Sequence, residues 1–146
     1  MQLDNLYQEV ILDHYKNPQH KKLSPTYDAQ VHHINPSCGD EITLNLTAVD
    51  GVITAITLDG VGCSISQASS SVMSELTQGV SIEKALGLEV SFLELMQGKG
   101  QVEADEEELE DAVAFSGVAR YPARVKCALL SWMALKDALL RAGGSK

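Results

Sequence analysis

The sequence has few cysteines, few aromatic residues and no surplus of basic side chains. Only three cysteines are present, and aromatic residues make up 5% of the chain. No apolar run approaches the roughly 18 residues that a membrane-spanning helix needs. The opening Met1-Gln2-Leu3-Asp4 lacks the basic and then apolar order of a secretory signal. We therefore expect a cytoplasmic protein without a membrane partner.

Acidic residues outnumber basic ones by 20 to 11, which gives a formal net charge of -9. This balance excludes a generally basic nucleic-acid-binding surface. Seven of the acids fall within residues 103–111, so the rest of the chain sums to -9 + 7 = -2. The acidic stretch fits a solvated face or flexible loop, and the alternative is a patch that steers a basic partner.

With 146 residues, 45% of them hydrophobic, the chain is sized for one core. We expect a single domain over residues 1–146. Hydrophobic periodicity, capping residues and turn residues predict its elements. The predicted strands cover 29–34, 41–49 and 52–58, and the predicted helices cover 3–17, 64–77, 81–87, 91–96, 109–115 and 122–143.

Asp50-Gly51 joins the second and third strands and is typical of a two-residue type I′ hairpin turn. In a regular hairpin, the numbers of opposed residues would sum to 101. The face predicted to be buried then carries Ile42, Leu44, Leu46, Ala48, Ile53 and Ala55.

The same register, extended away from the turn, places Gly39 opposite Gly62 and Cys38 opposite Cys63. Asp40 points to the same side as Cys38 because side chains alternate along a strand. Opposed β-carbons lie about 5 Å apart, which is close enough for two thiolates to share a metal. The two glycines could equally mark a bulge that changes the register.

Cys127 lies near the start of the last predicted helix, which could cover that face of the sheet. Three thiolates and one carboxylate would complete a tetrahedral zinc site, with Arg124 and Lys126 offsetting its charge. The spacing of the cysteines matches no compact zinc-finger pattern. The alternative is that the cysteines serve as small buried hydrophobes and Asp40 as a cap.

The histidines and serines give weaker signals. His14 lies on the apolar stripe of the first helix and is interpreted as a core or boundary histidine. His32 and His33 are neighbours on a strand, so they face opposite ways and cannot both enter one site. The serine-rich helix lacks the G-x-S-x-G pattern of serine hydrolases.

Four motifs resemble those of the IscU-like iron–sulfur cluster assembly proteins, and the likeness runs from about residue 3 to residue 140. The chain carries Asn-Pro-Ser-Cys-Gly-Asp at 35–40, Gly-Val-Gly-Cys-Ser-Ile-Ser-Gln-Ala-Ser at 60–69, Arg-Val-Lys-Cys at 124–127 and Asp-His-Tyr-Lys-Asn-Pro at 13–18. The resemblance implies an α+β fold, in which helices pack on one face of a small three-stranded antiparallel sheet.

Two departures resemble the SufU branch of that family. Lys126 stands where the scaffold branch has a histidine, and an insertion-like stretch covers about 99–120, without a Leu-Pro-Pro-Val-Lys motif. The resemblance implies a zinc-dependent sulfurtransferase that accepts persulfide sulfur from a pyridoxal-phosphate cysteine desulfurase. The alternative is a scaffold that assembles a [2Fe–2S] cluster on the same ligands.

The resemblance also assigns residues. It implies a zinc ion bound by Cys38, Asp40, Cys63 and Cys127. It implies Cys38 as the catalytic thiol that receives sulfur, and it places Arg124 beside the site.

Overall fold

The fold is described by a computed structural model that covers residues 2–17, 22–36, 39–98 and 106–144. Its elements are α1 (Gln2–Lys16), β1 (Ala29–Asn35), β2 (Asp40–Val49), β3 (Val52–Val61), α2 (Ser64–Thr77), α3 (Ile82–Gln97), α4 (Glu106–Leu109), a 3₁₀ segment (Glu110–Arg120), α5 (Pro122–Leu139) and a final π turn (Leu140–Gly144). Within the covered ranges, no helix is long and apolar enough to cross a membrane.

The three strands form one antiparallel sheet in the order β1-β2-β3. Helix α5 packs across β1 and β2, and α2 packs against β3. Ile42, Leu44 and Leu46 of β2 are buried at this interface. The predicted α+β fold with a three-stranded antiparallel sheet is therefore confirmed.

The β2–β3 hairpin turns at Asp50 and Gly51, as predicted. Their φ angles are 52° and 78°, the positive values that a type I′ turn requires at both central positions. The pair Ala48–Ile53 next to the turn also follows the predicted register. The turn is therefore a purely local feature that the dipeptide itself determines.

Beyond that pair, the predicted register is wrong by one residue. Thr47 pairs with Ala55, so the exposed Thr54 is an extra residue in β3 and forms a β-bulge. The bulge reverses which side chains of β3 point inward. Ile56 and Leu58 are buried, whereas Ala55, predicted to be buried, is partly exposed.

The shifted register also changes the end of the hairpin that carries the cysteine motifs. Glu41 pairs with Val61, so the predicted pairing of Gly39 with Gly62 does not form. The predicted pairing of Cys38 with Cys63 depends on the same register, which the observed strand pairing does not follow. Cys38 itself lies outside the described residues.

Helix α3 is one continuous helix, not the two short ones predicted from Gly87 and Ser91. Ser81 caps its start as predicted, since its hydroxyl accepts the Lys84 N–H at 3.0 Å. A glycine inside a helix costs about 1 kcal/mol relative to alanine. Burial of Ala85 before this glycine and of Leu88 and Phe92 after it outweighs that cost.

Three aromatic rings join the helical layer of the core. Phe92 of α3 stacks on Trp132 of α5, with ring centroids 4.5 Å apart. Phe115 of the 3₁₀ segment meets Phe92 edge-on at 5.9 Å. The second half of the insertion-like stretch is therefore part of the core, and its residues 99–105 lie outside the described ranges.

Glu89 of α3 is a buried acid, with 1% of its surface exposed. Within the described part of the chain, its Oε2 atom has no hydrogen-bond partner. Burial raises the pKa of this carboxyl group, and the positive charge of Lys136 partly opposes the rise. The neutral acid is therefore favoured in the folded protein.

We expect Glu89→Gln to stabilise the protein more at pH 7 than at pH 4. A raised folded-state pKa gives stability that is present below the unfolded-state pKa and is lost as pH rises through the folded-state value. The amide carries no charge and escapes that loss. Urea unfolding at the two pH values measures the difference, with the exposed Glu94→Gln as control. A difference between variant and parent that is the same at both pH values would contradict the argument.

Candidate metal centre

Asp40 is the buried centre of the cysteine-rich end of the sheet. The turn before it closes when the Gly39 N–H donates to the Asn35 carbonyl at 2.9 Å, with Gly39 at a φ of +72°. The chain can then reverse directly into β2. Asp40, the first residue of that strand, is 1% exposed.

The Asp40 carboxylate holds the start of α2. Its Oδ1 accepts the Cys63 backbone N–H at 2.9 Å, and its Oδ2 lies 3.7 Å from the Cys63 Sγ as an acceptor. In a capping box, an acid three residues into the helix accepts the N–H of the cap residue. Here that helix position is Ser66, which instead donates to the Cys63 carbonyl at 3.1 Å. Asp40 supplies the missing acceptor from another strand.

Gly62 makes room for this arrangement. A β-carbon at this position would lie 2.6 Å from Asp40 Oδ1 and would also collide with the Ser66 hydroxyl. Only a residue without a side chain allows Asp40 and Cys63 to approach as they do. Sequence reasoning treated Gly62 as a register or turn signal and missed both this packing role and Ser66.

Cys127 reaches the same place from α5. The helix begins with Pro122 in its first turn, as predicted, and Cys127 is 2% exposed. Its Sγ donates to the Ala123 carbonyl at 3.6 Å. One ligand atom from each of Asp40, Cys63 and Cys127 lies within 4.8 Å of the other two.

Buried hydrogen bonds fix α2 against α5. The Ser69 hydroxyl donates to the Ala128 carbonyl at 2.6 Å and accepts the Trp132 indole N–H at 3.2 Å. These bonds connect Ala128, the residue after Cys127, to α2, the helix that begins directly after Cys63. Ser69 therefore holds the two helices in close contact.

This donor set fits a thiophilic divalent cation. Two ligands of one tetrahedral zinc ion lie about 3.3–3.8 Å apart when each is 2.0–2.3 Å from the metal. The separation of 3.7 Å between Cys63 Sγ and Asp40 Oδ2 falls in that range. The described residues supply two sulfurs and one oxygen, and the fourth predicted ligand, Cys38, lies outside them. Asp40, Cys63 and Cys127 could thus hold three corners of a tetrahedral site.

Arg124 stands one turn before Cys127 on α5 and is exposed. It lines a cavity of about 480 Å³ together with Ser64, the residue after Cys63. Arg120 and the exposed Tyr121 also line this cavity. A solvent-accessible cavity with two cationic side chains therefore flanks the donor cluster.

The three histidines that the structure describes are arranged as predicted and lie outside this cluster. His14 is buried and bonded on both ring nitrogens, to Ser71 and to Asp111. His32 lies near Glu41, whereas His33 contacts Asp137 of α5, so the two neighbours face opposite ways. His33 thereby fastens β1 to the helical layer.

We expect Gly62→Ala to weaken zinc binding at least tenfold, because the added methyl group displaces the Asp40 carboxylate. Competition with a chromophoric chelator measures the affinity. Gly87→Ala is the matched control, since a β-carbon there meets nothing within 4 Å. Equal zinc affinities for the two variants would show that the close approach at Gly62 does not shape the site.

The comparisons with known proteins agree with this fold. Residues 6–128 match the family model described as the NifU-like N terminal domain. The chain is 42% identical to "Zinc-dependent sulfurtransferase SufU" of Bacillus subtilis, over 97% of this chain and 95% of that protein. It is 40% identical to "Iron-sulfur cluster assembly scaffold protein IscU" of Streptococcus pyogenes, over 99% and 89%.

Two solved structures share the fold. A SufU scaffold protein from Fervidobacterium islandicum superposes with a TM-score of 0.80 at 36% identity, covering 90% of this chain and 94% of its own. A NifU-like N-terminal domain from Brucella abortus gives a TM-score of 0.88 at 25% identity over the full length of both chains. The chain belongs to the NifU-like N-terminal domain family, which includes these SufU and IscU proteins.

Proposed function

We propose that this protein is a zinc-bound sulfur acceptor in iron–sulfur cluster assembly, loaded by a cysteine desulfurase. The observation that carries the proposal is the convergence of Asp40, Cys63 and Cys127 within 4.8 Å at one end of the sheet. The 42% identical Bacillus subtilis relative is named as a zinc-dependent sulfurtransferase, which supports the same choice of metal and reaction.

The proposed ligands are Cys38, Asp40, Cys63 and Cys127. Cys38 is included because it completes a four-ligand set and precedes Gly39 and Asp40 in the chain. Bound zinc would hold the coordinating thiols deprotonated at neutral pH. Four protein ligands leave no open position for a hydrolytic water, so the site suits thiol chemistry rather than hydrolysis.

Cys38 is the proposed acceptor. Its thiolate attacks the outer, sulfane sulfur of a cysteine persulfide on the desulfurase. A new S–S bond forms at Cys38 while the S–S bond on the desulfurase breaks. The desulfurase cysteine leaves as a thiolate, so no external oxidant or reductant is needed.

The surroundings of the cluster suit approach by another protein. Gly62 and Ser64, on either side of Cys63, are exposed. The adjoining cavity carries the exposed cations Arg120 and Arg124 in a chain whose net charge is -9. We propose that these two arginines meet acidic groups of the desulfurase, so that association weakens as salt rises.

A scaffold for a [2Fe–2S] cluster is the second candidate. The 40% identical Streptococcus pyogenes relative carries a scaffold name, and two cysteines with an aspartate can also ligate iron. An oxygen ligand makes a cluster more labile than four thiolates do. The two candidate functions use the same ligands, but the first carries persulfide sulfur and the second carries a [2Fe–2S] cluster.

We expect Cys38→Ser to abolish sulfur uptake from a cysteine desulfurase, because serine cannot form a persulfide. The experiment incubates the zinc-loaded protein with a desulfurase and cysteine, alkylates the products and maps persulfides by mass spectrometry. The parent should carry the added sulfur on the peptide that contains Cys38. Ser70→Ala, which leaves all four proposed ligands intact, should behave as the parent.

Persulfide on Cys63 or Cys127, or unchanged uptake by a folded Cys38→Ser variant, would refute the assigned acceptor. Elemental analysis of protein purified without added metal separates the two candidate functions. The sulfur-acceptor proposal expects about one zinc per chain and no visible chromophore after anaerobic reconstitution with iron and sulfide. A stable iron–sulfur chromophore that passes to an apo-acceptor would favour the scaffold.

A further inference from the structure

A second group of metal-ligating side chains lies apart from the cysteine cluster. His14 of α1, Glu75 of α2 and Asp111 of the 3₁₀ segment each offer a ligand atom within 4.8 Å of the other two. Glu75 lies 12 residues after Cys63 along α2, which is about 18 Å at 1.5 Å per residue. The two groups share no residue, so this one is not an extension of the proposed zinc site.

The imidazole is the fixed part of this group. His14 is 5% exposed, and its Nδ1 lies 2.8 Å from the hydroxyl of the fully buried Ser71. Metal-ligating histidines usually bond their second ring nitrogen in this way, which sets the ring orientation. A hydroxyl can donate or accept, so Ser71 supports either tautomer of the ring.

The spacing of His14 and Asp111 suits two neighbouring ligands of one ion. His14 Nε2 lies 2.9 Å from Asp111 Oδ2. Two ligands at right angles, each about 2.1 Å from a metal, are about 3.0 Å apart. Without an ion, the Nε2 proton bridges the two atoms. With an ion, the ring would carry its proton on Nδ1 instead and donate it to the Ser71 hydroxyl, which frees the Nε2 lone pair to bind the ion beside Asp111.

Two carboxylates lie close together in this group. Within the described ranges, neither Glu75 nor Asp111 forms an ion pair with a lysine or an arginine. The basic group in contact with Asp111 is the imidazole of His14. Two negative groups held this close repel each other unless a proton or a cation lies between them.

We propose that His14, Glu75 and Asp111 form a second metal site for a first-row divalent transition cation. One imidazole nitrogen and two carboxylate oxygens form a nitrogen–oxygen donor set that Mn²⁺, Fe²⁺ or Co²⁺ can accept, and three protein ligands leave positions open to water. Both carboxylates face solvent, so the ion enters from the surface. Binding joins α1, α2 and the 3₁₀ segment at one point.

The test titrates Co²⁺ into protein that already carries one equivalent of zinc. Zinc binds thiolates more tightly than cobalt does, so the cysteine cluster stays occupied. We expect a second metal equivalent by calorimetry. Its visible spectrum should show weak d–d bands and no thiolate-to-cobalt charge transfer.

Glu75→Gln and Asp111→Asn should each weaken this second binding at least tenfold. Both side chains are exposed, and circular dichroism checks that each variant keeps its fold. Glu94→Gln, an exposed acid on α3, is the control and should bind as the parent does. Glu75 has no hydrogen-bond or ion-pair partner among the described residues. If Glu75 is not a metal ligand, the Glu75→Gln variant should therefore bind cobalt as the parent does.

Three results would overturn the proposal. They are the absence of a second equivalent, a second equivalent that both variants keep, and a second equivalent with charge-transfer bands from thiolates. The first two results do not bear on Cys38, Cys63 or Cys127 as zinc ligands, whereas the third would place cobalt at those cysteines. Failure of this inference is therefore distinct from failure of the proposed function.

Discussion

The carboxylate of Asp40 is the group on which the cysteine-rich end of the molecule depends. A buried ionised carboxylate is costly unless hydrogen bonds or a cation compensate it. One oxygen receives the backbone N–H of Cys63, and the other lies beside the Cys63 sulfur. The same group thus positions the start of α2 and offers a hard ligand next to two soft ones. Secondary structure and site chemistry are joined in one side chain.

The β-bulge at Thr54 determines which side chains of β3 face the helices and which residue of the chain lies against Asp40. A regular hairpin would carry Ala55 into the core and expose Ile56 and Leu58. The extra residue reverses this, so that β3 contributes two large side chains to the interface with the helices. It also shifts the far end of β3 by one position, which brings Gly62 rather than a bulkier residue against Asp40.

Local chemistry made much of the fold predictable from the sequence. The type I′ turn at Asp50-Gly51, the cap at Ser81 and the start of α5 at Pro122 depend on a few adjacent residues, and each was predicted. Gly87 was misread because burial on both sides of it outweighs its poor helix propensity. Thr54 carries no signal at all, since an exposed threonine suits a regular strand as well as a bulge.

The cysteine cluster and the His14 cluster differ in how much of each could be predicted from the sequence. Asp40 and Cys63 lie at strand and helix ends that the hairpin brings together, so even a register wrong by one residue placed them side by side. Cys127 was a candidate because the last predicted helix could cover that face of the sheet, but no local pattern determines helix-on-sheet packing, and the resemblance of its motif to a family then supported the assignment. His14, Glu75 and Asp111 come from three separately packed elements, and no spacing in the sequence predicted that they meet.

The double use of Asp40 restricts how this site could evolve. A cysteine at position 40 would give a uniformly soft ligand set and a tighter grip on a thiophilic ion. Sulfur is a weak hydrogen-bond acceptor, however, so the Cys63 N–H would lose its partner and the beginning of α2 would loosen. Ligand strength at this position can therefore be traded only against the integrity of a helix terminus, and natural variation here should favour acids over thiols.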